Sequence, residues 1–368
     1  MQARWLIFLW FGVFPLSALA ANPPVADTTL RDLARAWLLD NNGVGLSIGV
    51  YDTGKRQFVN VGSTRVDSDK TPTPQTIYEV GGISKVFTGQ LLARAIVEGR
   101  AAPSDDVEKY LGEPYPNLGY GDERVRLLTL ANTTSGLANN IPDVSQLRTL
   151  PNEPLAATRM RVFVNYSVAQ FRRDLHLVKP RLAPGAEPGA SNVSSMLLGL
   201  VLEKIYGEPF DATLTREIEK PLRMANGTQP DFKLLARGYT KAGEELPTFG
   251  ARIAWPSMTL RYSASDLLEF AAWQIAERDA SVKLTHKPTW TTSSGAQSIG
   301  YFWIVGTSPQ GRRVHMIGSS YGFASMCDLY PDSKLAIVLL ANKEGAQDSL
   351  RALSSKIAET LRPVKPTS

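Results

Sequence analysis

"YEVGGISKVFTGQLLARAIVEG", residues 78–99, changes its period at the glycine pair. Tyr78-Glu79-Val80 reads as the end of a strand and Gly81-Gly82 as a turn. Phe87, Leu91 and Ala95 then form one apolar stripe of a helix that stops near Gly99. Lys85 falls in the first turns of that helix. Position 82, three residues before it, lies on the same face one turn away. It holds glycine, so the lysine's natural neighbour has no side chain. Ser84 is no substitute, because its direction around the helix differs from that of position 82 by roughly 200°.

Working outward, "TTLRDLARAWLLDN" (28–41) places Leu30, Leu33 and Trp37 on one helix face. "GVGLSIGVYDTGKRQFVNVG" (43–62) alternates in two runs around Asp52-Thr53-Gly54-Lys55, which predicts a hairpin. Residues 105–225 carry few strand signals; their clearest helix is "NVSSMLLGLVLEKIYG" (192–207). Strand-like runs return after about 230: "SIGYFWIVG", "RRVHMIGSS", "FASMCDLYP" and "KLAIVLLAN". A last helix, "DSLRALSSKIAETL", turns Leu350, Leu353, Ile357 and Leu361 to one side. The pattern predicts a mixed sheet built from both ends of the chain, with a mostly helical insertion.

Composition narrows the partners. The 368 residues are 43% hydrophobic and 20% charged, as in a globular protein with an ordinary core. The net charge is +5, but the basic residues are scattered, which describes a solvated surface and not a nucleic-acid face. Arg4, the 12-residue apolar run "WLIFLWFGVFPL" and Ala18-Leu19-Ala20 predict a signal peptide, residues 1–20, cleaved after Ala20. The run is too short to span a bilayer comfortably, and no later stretch approaches spanning length. A soluble periplasmic or secreted protein is expected. One cysteine, Cys327, precludes an internal disulfide, and its alternating neighbours predict core packing.

Four segments in order, "YEVGGISKVFTGQLLARAIVEGRAAPSDDVEKYLG", "VRLLTLANTTSGLANNIPD", "APGAEPGASN" and "VHMIGSSYGFASMCDLYPDSKLAIVLLANK", resemble the class C β-lactamases and related penicillin-binding hydrolases. The resemblance spans nearly the whole mature chain. It implies an α+β fold, an antiparallel sheet flanked by helices plus a helical lobe. One domain over 21–368 follows, with a sheet lobe at about 27–105 and 230–368 and a helical lobe at about 106–229. The departures fall on the family's motifs. The nucleophilic serine becomes Gly82, while the motif lysine stays as Lys85. The tyrosine of Tyr-x-Asn becomes Ala190, while Asn192 stays. Lys-Thr-Gly becomes Met316-Ile317-Gly318. Tyr166 lies upstream of the motif segment and is not the missing tyrosine.

The resemblance implies that the backbone N–H groups of Gly82 and Ser319 grip a substrate carbonyl, with Asn192, Gly318, Ala190 and Met316 around it. Such donors survive loss of side chains. Losing nucleophile and base together costs on the order of a million-fold in serine hydrolases. An acyl-serine at position 82 is therefore ruled out, and two routes remain. A water in the vacated space could use a desolvated, partly neutral Lys85 as base. Alternatively a zinc ion could supply hydroxide, with His315 as the candidate ligand and His176, His286, Cys327, Glu79 and Asp328 as further donors. No ligand spacing such as H-x-x-x-H or C-x-x-C supports the metal. The plainer readings are a packing glycine at 82, a helix cap at Asn192, an apolar cleft wall at Met316 and Ile317, surface positions for His176 and His286, and, from the resemblance, a structural role for His315, which is the preferred reading of that residue. The leading expectation is an exported β-lactam-recognising hydrolase that opens the ring with water. The alternatives are an inactive protein binding a β-lactam or cell-wall peptide, and an esterase or peptidase of the same fold.

Overall fold

The computed structural model describes residues 27–363, apart from 149, 151, 152 and 249. The signal-peptide reading at 1–20 lies outside the described residues. Helix α1 (Asp27–Asp40) buries Leu30, Ala34 and Trp37 and leaves Leu33 half-buried. Strands β1 (Gly45–Asp52) and β2 (Lys55–Gly62) form the expected hairpin. Thr53 and Gly54 both have positive φ, 48° and 99°, the backbone that a two-residue turn joining right-twisted strands requires.

Strand β3 (Ile77–Glu79) leads through Gly81–Ile83 into helix α2 (Ser84–Val97) and pairs with β4 (Arg261–Ser263). The other strands of the large sheet are β5 (Trp290–Thr291), β6 (Gln297–Ile299), β7 (Ile304–Ser308), β8 (Gly311–Ser320), β9 (Phe323–Tyr330) and β10 (Leu335–Ala341). The large sheet runs β2-β1-β10-β9-β8-β7-β6-β5. Every neighbouring pair in it is antiparallel, as the family resemblance implies, and not mixed as the run pattern alone predicts. The first strand docks on the last, Leu46 opposite Ala341, which joins the two ends of the chain in one sheet.

Both faces of the sheet are covered, and every residue of β9 and β10 is buried. On one face, α1 and helix α8 (Gln347–Leu361) pack Leu30, Trp37, Leu350 and Ile357 against β1, β9 and β10. On the other, α2 and the helical segment share a larger core. That segment contains α3 (Leu155–Val164), α4 (Val168–Leu175) and α5 (Asn192–Tyr206). Gly207, at φ 71°, closes α5.

Two elements differ from the sequence reading. "SIGYFWIVG" is a hairpin and not a single strand. A Cβ on Gly300 would lie 2.1 Å from the Thr285 carbonyl oxygen, and Tyr301, Phe302 and Trp303 turn into the core between β6 and β7. The stretch after 230 also holds two helices, α6 (Ala264–Ala276) and α7 (Ala280–His286). Ser263 and Asp266 form a capping box at the start of α6, a three-residue spacing present in the sequence. No helix among the described residues is long and apolar enough to cross a membrane.

Candidate active site

Two glycines let two backbones meet. Gly81 has φ +53°, and a Cβ there would lie 2.5 Å from the backbone N, C and O of Ser319. A Cβ on Gly318 would lie 2.1 Å from Ser325 Oγ, 2.2 Å from the Val80 carbonyl oxygen and 3.2 Å from the Gly82 amide nitrogen. Only glycine at 81 and 318 allows the turn before α2 to press on β8. Ser325 Oγ donates to the Val80 carbonyl at 2.8 Å and ties the strands beneath that contact. β7 pairs with β8 only as far as Ile304 opposite His315, whereas β9 follows β8 to Ser320 opposite Phe323. From Met316 to Ser320, β8 therefore has a paired strand on one side only.

Gly82 has no strained backbone, so its glycine is not required by conformation. A Cβ there would meet the Ile317 carbonyl oxygen at 3.1 Å and the Met316 methyl at 3.3 Å. The space beside residue 82 is thus walled by a methionine end, and the water expected there competes with that methyl. Lys85 is part-buried on the same face, and its Nζ donates to the Ser191 carbonyl at 3.4 Å. Burial alone lowers this amine from 10.5 to about 8.

Ser191 also corrects the reading of Asn192. The Ser191 hydroxyl accepts from the Ser194 amide and caps α5, so Asn192 is the first helical residue and not the cap. Its side chain instead bridges to a neighbouring loop. Asn192 Nδ2 donates to Asn140 Oδ1 at 2.9 Å, while its backbone N–H donates to the Asn139 carbonyl at 2.8 Å. Asn140 escaped the sequence reading because its partner lies 52 residues away. Ala190 is exposed and carries no proton-transfer group. The structure thus brings Gly82, Met316, Gly318 and Ser319 together, with Lys85 one turn along α2 and reaching Asn192 through Ser191.

It does not gather the proposed zinc ligands. His315 stands opposite Asp328, whose carboxylate accepts from Ser354 of α8 at 2.8 Å. That places the pair on the α8 face of the sheet, whereas Met316 packs on the core around α2. Asp328 is further occupied by both Arg313 donors, at 2.7 and 2.6 Å. Burial lowers His315 to about 4, and its Nδ1 has no hydrogen-bond partner. Glu79 is buried against Arg261 at 3.1 Å and accepts from Ser320 Oγ at 2.6 Å. Cys327 is fully buried, which pushes its thiol pKa up, as core packing predicts.

His176 is half-exposed and stacks on Tyr115 at 4.2 Å, as a surface histidine does. His286 corrects its surface assignment: it is 3% exposed, with Glu277 Oε1 at 2.7 Å and Gln274 Oε1 at 2.9 Å. Among the described residues no group of three His, Cys, Asp or Glu side chains could hold a metal. The donor set around His315 does not fit a zinc ion.

The family model described as Beta-lactamase matches residues 27–362. A protein described as a beta-lactamase from Providencia stuartii is 26% identical over 390 aligned positions, covering 93% of this chain and 92% of that one. A crystal structure titled as a beta-lactamase/D-alanine carboxypeptidase from Pseudomonas syringae superposes with a TM-score of 0.73 at 22% identity, covering 93% of this chain and all of that one. A structure titled as a class C beta-lactamase gives 0.75 at 20% identity, covering 94% and 99%. These likenesses show the fold: an antiparallel sheet with helices on both faces and a helical segment beside it.

Proposed function

The chain belongs to the β-lactamase family, and on that premise we propose that it holds a β-lactam or cell-wall peptide by its carbonyl without forming an acyl-enzyme at residue 82. The Gly82 and Ser319 amides are the carbonyl's donors in this reading, and Asn192 contacts the ligand's own amide. One observation carries it. The space a side chain at residue 82 would enter is bordered by the Met316 methyl, 3.3 Å from where a Cβ on Gly82 would sit. A backbone cradle with an apolar stopper favours gripping over attack.

A second reading, hydrolysis by water, is favoured by Lys85. Its amine stands near 8 through burial alone, so about a tenth is neutral at pH 7 and able to take a proton. In that reading the Met316 methyl swings aside, water attacks the carbonyl held by the two amides while Lys85 accepts the water's proton, and the proton passes to the amide nitrogen as its bond to the carbonyl carbon breaks. No step runs through a metal, because His315 and its neighbours do not assemble one. The N-terminal pattern puts either activity outside the cytoplasm, after cleavage at Ala20.

Calorimetric titration of the mature protein with penicillins, alongside intact-mass measurement and a hydrolysis assay, separates the readings. Saturable binding with no mass increase and no turnover is expected. Turnover that rises with pH through 8 and disappears in Lys85→Met moves the conclusion to the water route. A stoichiometric covalent adduct on the unaltered chain overturns both.

A further inference from the structure

A cavity of about 620 Å³ opens beside the Gly82–Lys85 centre and not over it. Asn139 and Asn140 form its near wall, the same residues that hold the backbone and side chain of Asn192. Tyr321 closes another side, at the tip of the hairpin that follows Ser319 and Ser320. A ligand whose carbonyl lay between Gly82 and Ser319 would therefore extend into this cavity past Asn192. The volume suits a substituent of amino-acid or aryl size.

The lining is cationic. Arg159 of α3 and Lys179 and Arg181, which follow α4, all border the cavity; Asp143 is its one acidic side chain. Among the described residues none of these three cations is in a salt bridge, although most arginines of the molecule are. Asp143 accepts from the Ser145 amide at 2.8 Å, and that bond together with the nearby charge of Arg181 holds its carboxyl below the usual carboxylate range. Arg159 is half-buried and its Nε, shielded from solvent, has no hydrogen-bond partner. Its other side borders a groove that holds Lys241, Glu244 and Glu344. Three cations on the border of one concave wall, Lys179 and Arg181 exposed and Arg159 with an unused buried donor, match a carboxylate, which guanidinium groups bind in paired hydrogen bonds.

We propose that this cavity binds a carboxylate carried on the acyl side of the ligand, so that the protein selects doubly anionic β-lactams or peptides with an acidic side chain. The inference rests on the carbonyl-gripping reading above and names its ligand class.

The test compares benzylpenicillin with its α-carboxy derivative, two ligands that differ by one carboxylate on the acyl side chain. Titration calorimetry at low salt is expected to give about tenfold tighter binding of the dianion, shrinking as salt rises. The preference for the dianion over benzylpenicillin should fall to within about twofold in the Arg159→Gln/Arg181→Gln double variant. Equal affinities in the unaltered protein overturn the proposal. Should neither penicillin bind, the carbonyl-gripping reading fails instead, and N-acetylglutamate then decides the cavity alone. Its saturable, salt-sensitive binding, lost in the double variant, supports the carboxylate site, and absence of binding overturns it. Far-UV circular dichroism of the double variant confirms that any loss is not unfolding.

Discussion

Gly82→Ser asks whether the site lacks only its nucleophile. The backbone at 82 is outside the left-handed region, so the new side chain meets no conformational barrier. Its Cβ would sit 3.1 Å from the Ile317 carbonyl oxygen and 3.3 Å from the Met316 methyl. The second contact is with the flexible end of a methionine, which can turn away. Removing a glycine stabilises by roughly 0.4–1 kcal/mol through the unfolded chain, and the two close contacts take back a similar amount. The melting temperature should therefore move by no more than about 3 °C. The introduced hydroxyl would lie one turn from Lys85, whose amine stands near 8. Because the neutral amine is the base, acylation should quicken about tenfold from pH 6 to 7 and level off above 8. On the proposed reading deacylation has no such help, since neither Ala190 nor Met316 can transfer a proton. Incubation with a penicillin should thus build a one-to-one adduct, read by intact mass, with no sustained turnover. If Gly82→Ser and Gly82→Ser/Met316→Ala both bind the penicillin yet form no adduct between pH 6 and 9, Lys85 is not placed to act as a base and the reasoning is wrong.

Three further outcomes follow from the same geometry. Lys85 is depressed from 10.5 to about 8, so its protonated form strains the folded state below pH 8, and the strain fades as pH rises towards 10.5. Lys85→Met should therefore stabilise by about 2–3 kcal/mol at pH 7 and by much less at pH 10, measured by urea unfolding at both values. Glu79→Gln leaves Arg261 buried at 3% exposure without its counter-charge, and should cost about 3–5 kcal/mol in the same assay. Gly318→Ala forces a methyl to within 2.1 Å of Ser325 Oγ and 2.2 Å of the Val80 carbonyl oxygen. It should cost about 2–4 kcal/mol and abolish penicillin binding together.

The sequence carried the fold wherever local period and global pattern agreed. The Thr53-Gly54 turn, the α2 stripe and the Gly207 stop are local signals, and each element stands where they place it. The reading failed where tertiary contacts overrode a run of β-prone residues. Tyr301, Phe302 and Trp303 look like strand, but their burial under α7 bends the chain into a hairpin instead. His286 was unreadable for a similar reason: its burial depends on Glu277 and Gln274, contributed by the end of α6. The Gly82–Lys85 spacing was local and legible. Asn140 and the cations of the neighbouring cavity were not, because they meet Asn192 only after the helical segment folds.

Gly82 and Met316 are better understood as a pair than as two losses. A lysine at 316 would set a second ammonium beside Lys85, and like charges in one desolvated cleft depress each other's protonation and destabilise the folded state. Once residue 82 has no hydroxyl, a methionine of similar length removes the charge, covers the gap and keeps apolar contact with the core around α2. Nothing comparable relaxes the glycines at 81 and 318, since any side chain at either would collide with backbone. The parts of the site that touch only through main chain are thus held by packing, while the reactive side chains, which packing does not require, are free to change. On the proposed reading, that asymmetry accounts for a backbone cradle beside a residue 82 that carries no side chain.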